Sequence, residues 1–585
     1  MNLTPRLLVV IVLYRAEWDR SAAFTSLCEP FDTSDGKQCG ANILILLYDN
    51  APGGDPSPEG LPPGVIYQAA ARNDGVAGAY NFALELAVRE GYDWILTLDQ
   101  DTRVPPDYLL RMLSVASGLE TVWDVGAIVP HLRQGDAVLS PVRVRPWGVH
   151  YLPLQSGGFH TGEVHAFNSG ALFRRDALLQ IGGFDDRFWL DYQESSVYRR
   201  LHRCAKRVYI ADGLVLEHEL SLISDQPISP ARYHNHVLAE SAYYDMYRGP
   251  LARLVLTGKS AWRVCKLFRS GSGPEIRRLA RNGLMRRLFR SRKARTEEWR
   301  TDLSRRMPGA EAAWARRSND IRPRLSVCMA AYNGSRYITA QLESILSQLA
   351  PDDEVVIVDD ASNDQTIDKI LDMRDPRIRL YRHSVNSGVL RTFEDAIRAA
   401  SGRIIFLSDQ DDLWDPRKVV TVLEAFNSHP DVSLVATDNA LIDATGALIS
   451  ESYFASKGPF RQGLCANLIR NRFGGCTMAF RADILSDVLP LPHGYDVLHD
   501  IWIGVRNSLS GHKSLYIAKP LVLNRRHATT ATGRERLTLS HRVRLRLHLL
   551  LALANFPIRK AVALTKVRSH PEAQAAHEEN SSCRK

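Results

Sequence analysis

Three features that mark other protein classes are absent from this sequence. Its eight cysteines are scattered without a CxxC pair, which predicts neither a zinc site nor a disulfide framework. This spacing is typical of free thiols in a reducing compartment. No apolar run approaches the roughly 20 residues of a membrane-spanning helix. The run from Leu7 to Tyr14 is short and lacks a signal-peptide cleavage site, so we interpret it as a strand.

What the sequence does contain is the composition of a folded protein. Hydrophobic residues make up 45% of it and charged residues 24%, and its 585 residues are enough for two to four domains. We expect a cytoplasmic protein that is either free or peripheral at the inner face of the plasma membrane.

The positive charge is concentrated in one segment. Residues 251–324 hold 21 lysines and arginines and 6 acidic residues, which gives this segment a net charge of +15. Since the whole chain has a net charge of +9, the remaining residues together carry −6. Apolar residues recur there at near-helical spacing between Arg277 and Arg295, and the segment from Arg534 to Lys560 is similar. Basic amphipathic helices bind anionic membrane surfaces, which is the partner that we expect. The alternatives are nucleic acid, which we do not expect, and a linker helix packed on a domain.

Four short motifs occur twice, in the same order. They are LLVVIVLYRAE and LSVCMAAYNGS, LLYDNAP and VIVDDAS, ARNDGVAGAYN and HSVNSGVLRTF, and ILTLDQDT and IFLSDQDD. Asp49 precedes Asp99 by 50 residues, and Asp359 precedes Asp409 by the same 50. An Asp-Gln-Asp (DQD) motif at an equal interval in both copies indicates two related domains.

Strand-like and helix-like runs alternate within each copy. Ile43–Tyr48 and Ile404–Leu407 are apolar and rich in β-formers, whereas Ala77–Arg89 and Leu390–Ala400 have a helical pattern. This alternation predicts an α/β fold, with a Rossmann-like, mostly parallel sheet and helices on both faces. Ligands bind outside the carboxyl ends of such strands. No GxGxxG follows the first strand, which argues against a dinucleotide ligand.

The DQD motif has the chemistry of a divalent-cation site. Two carboxylates at a strand end suit Mg²⁺ or Mn²⁺, which prefer oxygen ligands and also bind phosphates. Such a metal offsets the charge on a departing diphosphate. An acidic turn or helix cap explains one copy equally well, but it does not explain two copies in register. We therefore expect Mg²⁺ or Mn²⁺ as the cofactor.

A second acidic site follows each DQD motif. It contains Asp191 and Glu194 in the first copy and Asp500 in the second. Glu194 lies 93 residues after Asp101, and Asp500 lies 89 residues after Asp411. A carboxylate at this position can take a proton from an acceptor hydroxyl, as transfer of a sugar requires. The alternative is an acidic first turn of a helix.

A histidine comes next in each copy. His218 follows Glu194 by 24 residues, and His527 follows Asp500 by 27. Imidazole can bind a metal or a diphosphate, and the repeated position distinguishes these two histidines from the other sixteen of the 18.

Together these motifs resemble inverting family 2 glycosyltransferases with the GT-A fold, over roughly residues 5–250 and 322–535. The first copy further resembles bacterial rhamnosyltransferases through RNDGVAGAYNFAL, LDQDT, FNSGALFRRDAL and GGFDDRFWLDY. That resemblance implies dTDP-L-rhamnose as its donor. The second copy resembles polysaccharide-assembly transferases, which leaves its donor open.

The resemblance implies a role for each marked position. By this resemblance, Asp49 and Asp359 would bind the nucleotide base or ribose, with Asp360 as the alternative in the second copy. Further nucleotide-sugar contacts fall to Tyr14, Asn73, Asp99, Ala331, Asn386 and Asp409. Asp101 and Asp411 would bind the metal, and His218 and His527 would lie near the diphosphate or bind the metal. The catalytic bases are Glu194 and Asp500.

The first copy departs from the family pattern in two places. Arg15 stands where the family has the asparagine that the second copy keeps as Asn333, and Glu194 replaces the usual aspartate. These departures leave three alternatives for the first copy: an altered acceptor, low activity, or Asp191 as the base.

The sequence thus predicts two GT-A domains, at residues 1–250 and 322–535. A basic helical connector at 251–321 joins them, and a basic amphipathic tail with a disordered end occupies 536–585. The predicted function is bifunctional inverting transfer of sugars to hydroxyls of a lipid-linked bacterial surface polysaccharide such as an O-antigen. The alternative is a single active second domain beside a degenerate first domain that binds glycan or acts as a scaffold.

Overall fold

The structure is a computed structural model that describes residues 5–28, 42–51, 58–145, 147–217, 229–270, 273–315, 323–454, 473–527 and 539–565. The chain divides into two compact units. Unit 1 comprises residues 1–120, 125–202 and 206–321, and unit 2 comprises residues 121–124, 203–205 and 322–585. The two units correspond to the two copies of the sequence repeat.

The elements of unit 1 alternate along the chain as the sequence predicts. Its described strands are β1 (Leu7–Leu13), β2 (Ile43–Asp49), β3 (Val65–Ala69), β4 (Trp94–Asp99), β5 (Val125–Gln134), β6 (Ala137–Ser140), β7 (Val142–Arg145), β8 (Gly148–Tyr151), β9 (Gly158–Phe159), β10 (Glu163–His165), β11 (Ala171–Arg174) and β12 (Arg207–Glu217). Its described α-helices are α1 (Ala22–Cys28), α2 (Gly75–Glu90), α3 (Tyr108–Gly118), α4 (Arg175–Ile181), α5 (Gln193–Arg203), α6 (Pro230–Tyr247), α7 (Pro250–Arg269), α8 (Pro274–Phe289), α9 (Arg292–Arg306) and α10 (Ala310–Ala315).

A mixed, mostly parallel sheet forms the core of unit 1. Among the described residues its strand order is β3-β2-β1-β4-β11-β5-β12-β9, and β6 pairs with β5. Strand β1 lies parallel to β2 and β4, whereas β11 is antiparallel to β4. Every residue of β1 is buried, as expected for a parallel strand covered on both faces. Strands β10, β7 and β8 form a separate small sheet.

Unit 2 repeats this architecture. Its described strands are β13 (Leu325–Ala331), β14 (Glu354–Asp359), β15 (Ile378–Arg382), β16 (Ile404–Asp409), β17 (Leu413–Trp414), β18 (Val432–Ile442), β19 (Leu448–Ser450), β20 (Met478–Arg481) and β21 (Lys513–Arg525). Its described α-helices are α11 (Ile338–Leu346), α12 (Thr366–Asp372), α13 (Val389–Ala399), α14 (Lys418–Ser428), α15 (Leu485–Val488), α16 (His499–Leu509) and α17 (Leu539–Thr565).

The strand order in the sheet of unit 2 is β15-β14-β13-β16-β20-β18-β21-β17, with β19 on β18. The first seven strands of this order match the first seven of unit 1 one for one. The predicted fold class, two α/β domains with mostly parallel sheets, is confirmed. In both units the parallel order brings the ends of the first, second and fourth strands to one edge of the sheet.

The helices of the predicted connector pack within unit 1. Trp299 and Leu303 of α9 are buried in a cluster with Phe188 and residues of α6, and the rings of Trp299 and Phe188 stack 5.9 Å apart. Arg295 forms a 2.7 Å ion pair with Asp245, whose side chain is fully buried. Part of the basic charge of the connector is therefore neutralised inside this unit.

The helical spacing between Arg277 and Arg295 spans two helices in the structure. Helix α8 ends at Phe289 and α9 begins at Arg292. The side chain of Ser291 accepts a hydrogen bond from the amide of Ala294 (3.2 Å), which caps the start of α9. Among the described residues, no helix is both long and apolar enough to cross a membrane. The predicted disordered end, after His570, lies outside the described residues.

Candidate active sites

The DQD motifs lie at the carboxyl ends of β4 and β16, beside the first strand of each sheet. The central glutamine of each motif binds the backbone at the end of that first strand. Gln100 Oε1 accepts from the amide of Tyr14 (2.8 Å), and Gln410 Oε1 accepts from the amide of Tyr332 (2.9 Å). The glutamine therefore joins the ends of two strands. Its presence in both copies of the motif is the sequence signal for this role, which the chemistry of the two aspartates does not predict.

A cavity of about 850 Å³ opens at this edge of unit 1. Its lining includes the predicted residues Tyr14, Asn73, Asp99, Asp101, Asp191 and Glu194. The fold thus brings together residues that lie up to 180 positions apart in the sequence. Such a volume suits a bound small molecule.

One predicted residue of unit 1, Asp49, does not line this cavity. Asp49 is buried, and its carboxylate accepts from the hydroxyl of Tyr67 (2.8 Å) and the amide of Ala51 (2.9 Å). Its neighbour Asn50 lines the cavity instead. His218 lies outside the described residues.

Glu194, in the first turn of α5, has the electrostatics of a general base. Burial raises the pKa of its carboxyl to about 7, and the charges of Asp99 and Asp191 add to that effect. A carboxylate with a pKa near neutrality combines useful basicity with substantial ionisation at physiological pH. The longer side chain at this position therefore does not by itself indicate decay of the site.

Asp191 is held in a different environment. Arg232 and His236 lie 3.2 and 3.4 Å from its carboxylate, and Asn235 donates a further hydrogen bond. Burial raises the pKa of Asp191, but the hydrogen bond from His236 and the charge of Arg232 outweigh it and hold the pKa below its ordinary value. Asp191 is thus a weak base that is already occupied by partners, and Glu194 is the better candidate.

The two adjacent aspartates of unit 2 have different surroundings. Asp359 is fully buried and accepts from the amide of Ser362 at one oxygen (2.9 Å), while its Oδ1 has no partner among the described residues. Asp360 accepts from the amides of Ser387 and Gly388 and lies against His383, each at 2.8 Å. Asp359 therefore has an oxygen to offer a ligand, whereas Asp360 holds the loop that follows β15.

Two of the other predicted nucleotide contacts of unit 2, Ala331 and Asn386, lie near these aspartates. Ala331 is buried at the end of β13, where its carbonyl accepts from the amide of Asp360 (2.8 Å). Asn386 is exposed and precedes the Ser387-Gly388 pair that Asp360 holds.

Acidic groups converge at the end of β16. Burial raises the pKa of Asp409 well above its ordinary value, and the charges of Asp412, Asp411 and Asp500 raise it further. Asp500 lies in the first turn of α16, as Glu194 does in α5. The structure thus places the predicted base of unit 2 in electrostatic contact with the strand-end carboxylates.

The residues present fit a divalent cation. Asp411 Oδ2 and His527 Nε2 form a 2.7 Å hydrogen bond at the end of β16. Beside them, Asp409, Asp412 and Cys476 lie close enough together to hold a metal ion, and a bound cation would relieve the repulsion among the carboxylates. Carboxylate oxygen is a preferred ligand of Mg²⁺ and Mn²⁺. In unit 1 the exposed carboxylate of Asp101 lines the cavity at the corresponding position.

Sequence reasoning missed the residues that hold the DQD motif of unit 2 in place. Asp412 accepts from the side chain of Asn524 and the amide of Arg525, each at 2.9 Å. The guanidinium of Arg525 donates to the carbonyl of Asp411 (3.0 Å). These contacts join β21, and with it His527, to the acidic motif.

Comparison with known protein families then identifies the chain. Residues 55–182 and 326–489 match the family described as Glycosyl transferase family 2. Both units belong to glycosyl transferase family 2. Each match includes the DQD motif of its unit and ends before the candidate base, Glu194 or Asp500, so the bases rest on the geometry described above.

Three similar proteins indicate the range of this family. An uncharacterized glycosyltransferase of Nostoc sp. is 28% identical over 176 residues, which are 29% of this chain and 54% of the relative. Chondroitin synthase of Escherichia coli is 37% identical over 134 residues, 22% of this chain and 19% of the relative. The UDP-Glc:alpha-D-GlcNAc-diphosphoundecaprenol beta-1,3-glucosyltransferase WfgD of E. coli is 35% identical over 95 residues, 16% and 38% of the two chains. This chain spans about half or less of the length of these relatives.

Proposed function

We propose that the chain is a bifunctional, metal-dependent inverting glycosyltransferase, with one active site in each unit. The observation that carries the proposal is a repeated geometry: strand-end carboxylates face a carboxylate in the first turn of a helix. In unit 1 Asp99 and Glu194 line one cavity, and in unit 2 Asp409 interacts with Asp500. In unit 1 the cavity and the buried carboxylate of Glu194 favour an active site over a degenerate one.

The geometry supports direct displacement at the anomeric carbon. Glu194 or Asp500 takes the proton of the acceptor hydroxyl, whose oxygen forms a bond to that carbon while the bond to the diphosphate breaks. Attack from the opposite face inverts the configuration. Asp101 in unit 1, and Asp411 with His527 in unit 2, would hold the Mg²⁺ or Mn²⁺ that neutralises the leaving diphosphate.

For unit 1 we propose dTDP-L-rhamnose as the donor. The support is the resemblance of its motifs to rhamnosyltransferases, together with a cavity large enough for a nucleotide sugar. Tyr14, Asn73 and Asp99 follow or end strands β1, β3 and β4, and they line that cavity together with Glu194 of α5.

For the acceptor we propose a lipid-linked polysaccharide precursor at an anionic membrane surface. WfgD, by its name, acts on a sugar linked to diphosphoundecaprenol. Helix α7 contains no acidic residue, and one side of it exposes large apolar side chains: Leu251 (61%), Leu254 (69%), Trp262 (66%) and Phe268 (51%). Lys259 and Lys266 lie along one border of that side, as in a helix that binds anionic lipid.

Separate inactivation of the two units tests the bifunctional proposal. The full chain is incubated with dTDP-L-rhamnose, Mg²⁺ and a diphosphoundecaprenol-linked acceptor, and products are resolved by mass spectrometry. We expect Asp101→Ala and Asp411→Ala to stop at different products. Full activity of Asp101→Ala would instead make unit 1 a non-catalytic domain. Full activity of both variants would remove the metal assignment.

Liposome flotation tests the membrane surface. We expect the chain to float with vesicles containing anionic phosphatidylglycerol at low salt and to be released at high salt, because salt screens the charge of the lysines and arginines. Trp262→Asp should reduce flotation, whereas Leu448→Asp, at a similarly exposed apolar position in unit 2, should not. Equal flotation of both variants would contradict a role for α7.

A further inference from the structure

Two side-chain amides in the wall of the unit 1 cavity have no role in the chemistry described above. Asn168 precedes β11, and Gln193 is the first residue of α5. The Nδ2 of Asn168 donates to the Oε1 of Gln193. Only 3% of Asn168 and 1% of Gln193 is exposed, yet both line the cavity.

Two of the four polar side-chain atoms of this amide pair have no hydrogen-bond partner among the described residues. These atoms are Asn168 Oδ1 and Gln193 Nε2. If both amides were turned over, the pair would keep its mutual bond and present the opposite atoms, so in either orientation one acceptor and one donor are free. Buried polar atoms are normally satisfied, which indicates that a ligand completes this pair.

The amide pair lines the same cavity as the groups that carry the chemistry. Gln193 directly precedes Glu194, the candidate base. The carbonyl of Asn168 accepts a 2.5 Å hydrogen bond from Thr97, two residues before Asp99 on β4. A sugar bound in the cavity beside Asp99 and Glu194 can therefore place hydroxyl groups near this pair.

The corresponding positions in unit 2 hold different residues. Arg174 pairs with Trp94, and Arg481 pairs with Ile404, so the strand register equates Asn168 with Gly475. Helices α5 and α16 begin at Gln193 and at His499, which equates those two residues.

In unit 2 the imidazole of His499 occupies the space that a side chain at position 475 would need. A Cβ atom at Gly475 would lie 2.4 Å from His499 Nε2, so an asparagine does not fit there while the imidazole keeps its place. Both ring nitrogens of His499 are buried without a partner among the described residues. The two units thus present different polar groups at matching positions beside their candidate bases.

We propose that Asn168 and Gln193 bind hydroxyl groups of the transferred sugar and set the sugar specificity of unit 1. One free donor beside one free acceptor complements two neighbouring hydroxyls of a pyranose, since a hydroxyl both donates and accepts. A site built to hydrogen-bond hydroxyls rejects sugars that lack them at those positions. The inference rests on the proposed function of unit 1 as a transferase, and it makes the two units selective for different sugars.

Binding of a nucleotide with and without its sugar tests this assignment. Calorimetric titrations with dTDP-L-rhamnose and with dTDP, in Mg²⁺, are made on the full chain carrying Asp359→Ala to weaken binding in unit 2. We expect Gln193→Met and Asn168→Ala each to weaken dTDP-L-rhamnose about 10-fold and dTDP less than twofold, because the pair contacts only the sugar. Equal weakening of both ligands, or of neither, would overturn the assignment.

A matched variant controls for the change in volume and polarity. Gln180, on α4, is 2% exposed and lies outside the cavity lining, so Gln180→Met should leave both affinities unchanged. The thermal unfolding midpoint of each variant shows whether a loss of binding follows a loss of folding.

Failure of the donor assignment is distinguishable from failure of the amide pair. If the chain without the cavity variants binds dTDP-L-rhamnose no more tightly than dTDP, rhamnose is not the sugar of unit 1. The same comparison is then made for UDP-glucose against UDP and for GDP-mannose against GDP. If Gln193→Met weakens the binding of one of these nucleotide sugars but not of its nucleotide, the result supports sugar binding by Asn168 and Gln193. If it does so for none of them, the assignment of these two residues is overturned.

Discussion

The imidazole Nε2 of His527 lies 2.7 Å from the carboxylate Oδ2 of Asp411, although the two residues are 116 positions apart in the sequence. Strand β21 carries the histidine to the end of β16. The ring of His527 also packs 5.2 Å from that of Tyr337, which limits its orientation.

His527→Ala should therefore weaken Mn²⁺ binding in unit 2 by about 10-fold or more, because a ligand or a close partner of a ligand is lost. Titration of Mn²⁺ followed by electron paramagnetic resonance measures the free ion directly. His429→Ala, at an exposed position on the end of α14, is the control. Unchanged Mn²⁺ affinity in His527→Ala would leave the metal to the carboxylates alone.

The pKa of Glu194, about 7, predicts the pH profile of unit 1. The base must be ionised, so kcat/KM should rise about tenfold per pH unit below pH 7 and level off above it. Glu194→Gln should lower kcat by 100-fold or more. Donor turnover in the Asp411→Ala background isolates this unit.

Asp191→Asn is the matched control for that profile. The negative charge of Asp191 raises the pKa of Glu194, so its removal should move the inflection to lower pH without abolishing turnover. Loss of turnover in Asp191→Asn, with activity retained in Glu194→Gln, would make Asp191 the base.

Asp359→Asn and Asp360→Asn form a test on neighbouring residues. Asp359 has a buried oxygen without a protein partner among the described residues, so its replacement should weaken dTDP or UDP binding about 10-fold with little change in stability. Calorimetric titration of both nucleotides measures this loss.

Asp360 binds two backbone amides and His383, so Asp360→Asn should lower the free energy of unfolding of unit 2 by about 1–3 kcal/mol. Chemical denaturation of the two variants side by side makes the comparison. The reverse pattern, with Asp359→Asn the less stable variant, would exchange the two assignments.

Arg15 and Asn333 occupy the same left-handed backbone conformation, with φ of 53° and 49°. Asparagine tolerates this region better than arginine does. Arg15→Asn should therefore stabilise unit 1 by about 0.5–1 kcal/mol. Asn333→Arg should destabilise unit 2 by at least as much, because it also removes the hydrogen bond that Asn333 Oδ1 accepts from the amide of Asn363 (3.0 Å). Differential scanning calorimetry measures both. Stabilisation of unit 2 by Asn333→Arg would contradict the backbone explanation.

Much of the fold was predictable because local patterns repeat. Apolar runs ending in aspartate predicted β2, β4, β14 and β16, and the structure confirms these strands. The equal spacing of Asp49–Asp99 and Asp359–Asp409 predicted two sheets with similar edges. The connector was harder to predict, because the burial of Trp299 against Phe188 depends on residues more than 100 positions apart.

The sequence by itself determined the residue types at each strand end, because the periodicity of the strands and the polarity of aspartate are local properties. Only the tertiary structure decided what each of those residues contacts. Asp359 and Asp360 are chemically identical neighbours. The loop after β15 donates hydrogen bonds to Asp360, whereas one oxygen of Asp359 has no partner among the described residues. Asn168 and Gln193 meet only because β11 and α5 converge on the cavity. Their pairing depends on packing between distant segments, which no local pattern encodes.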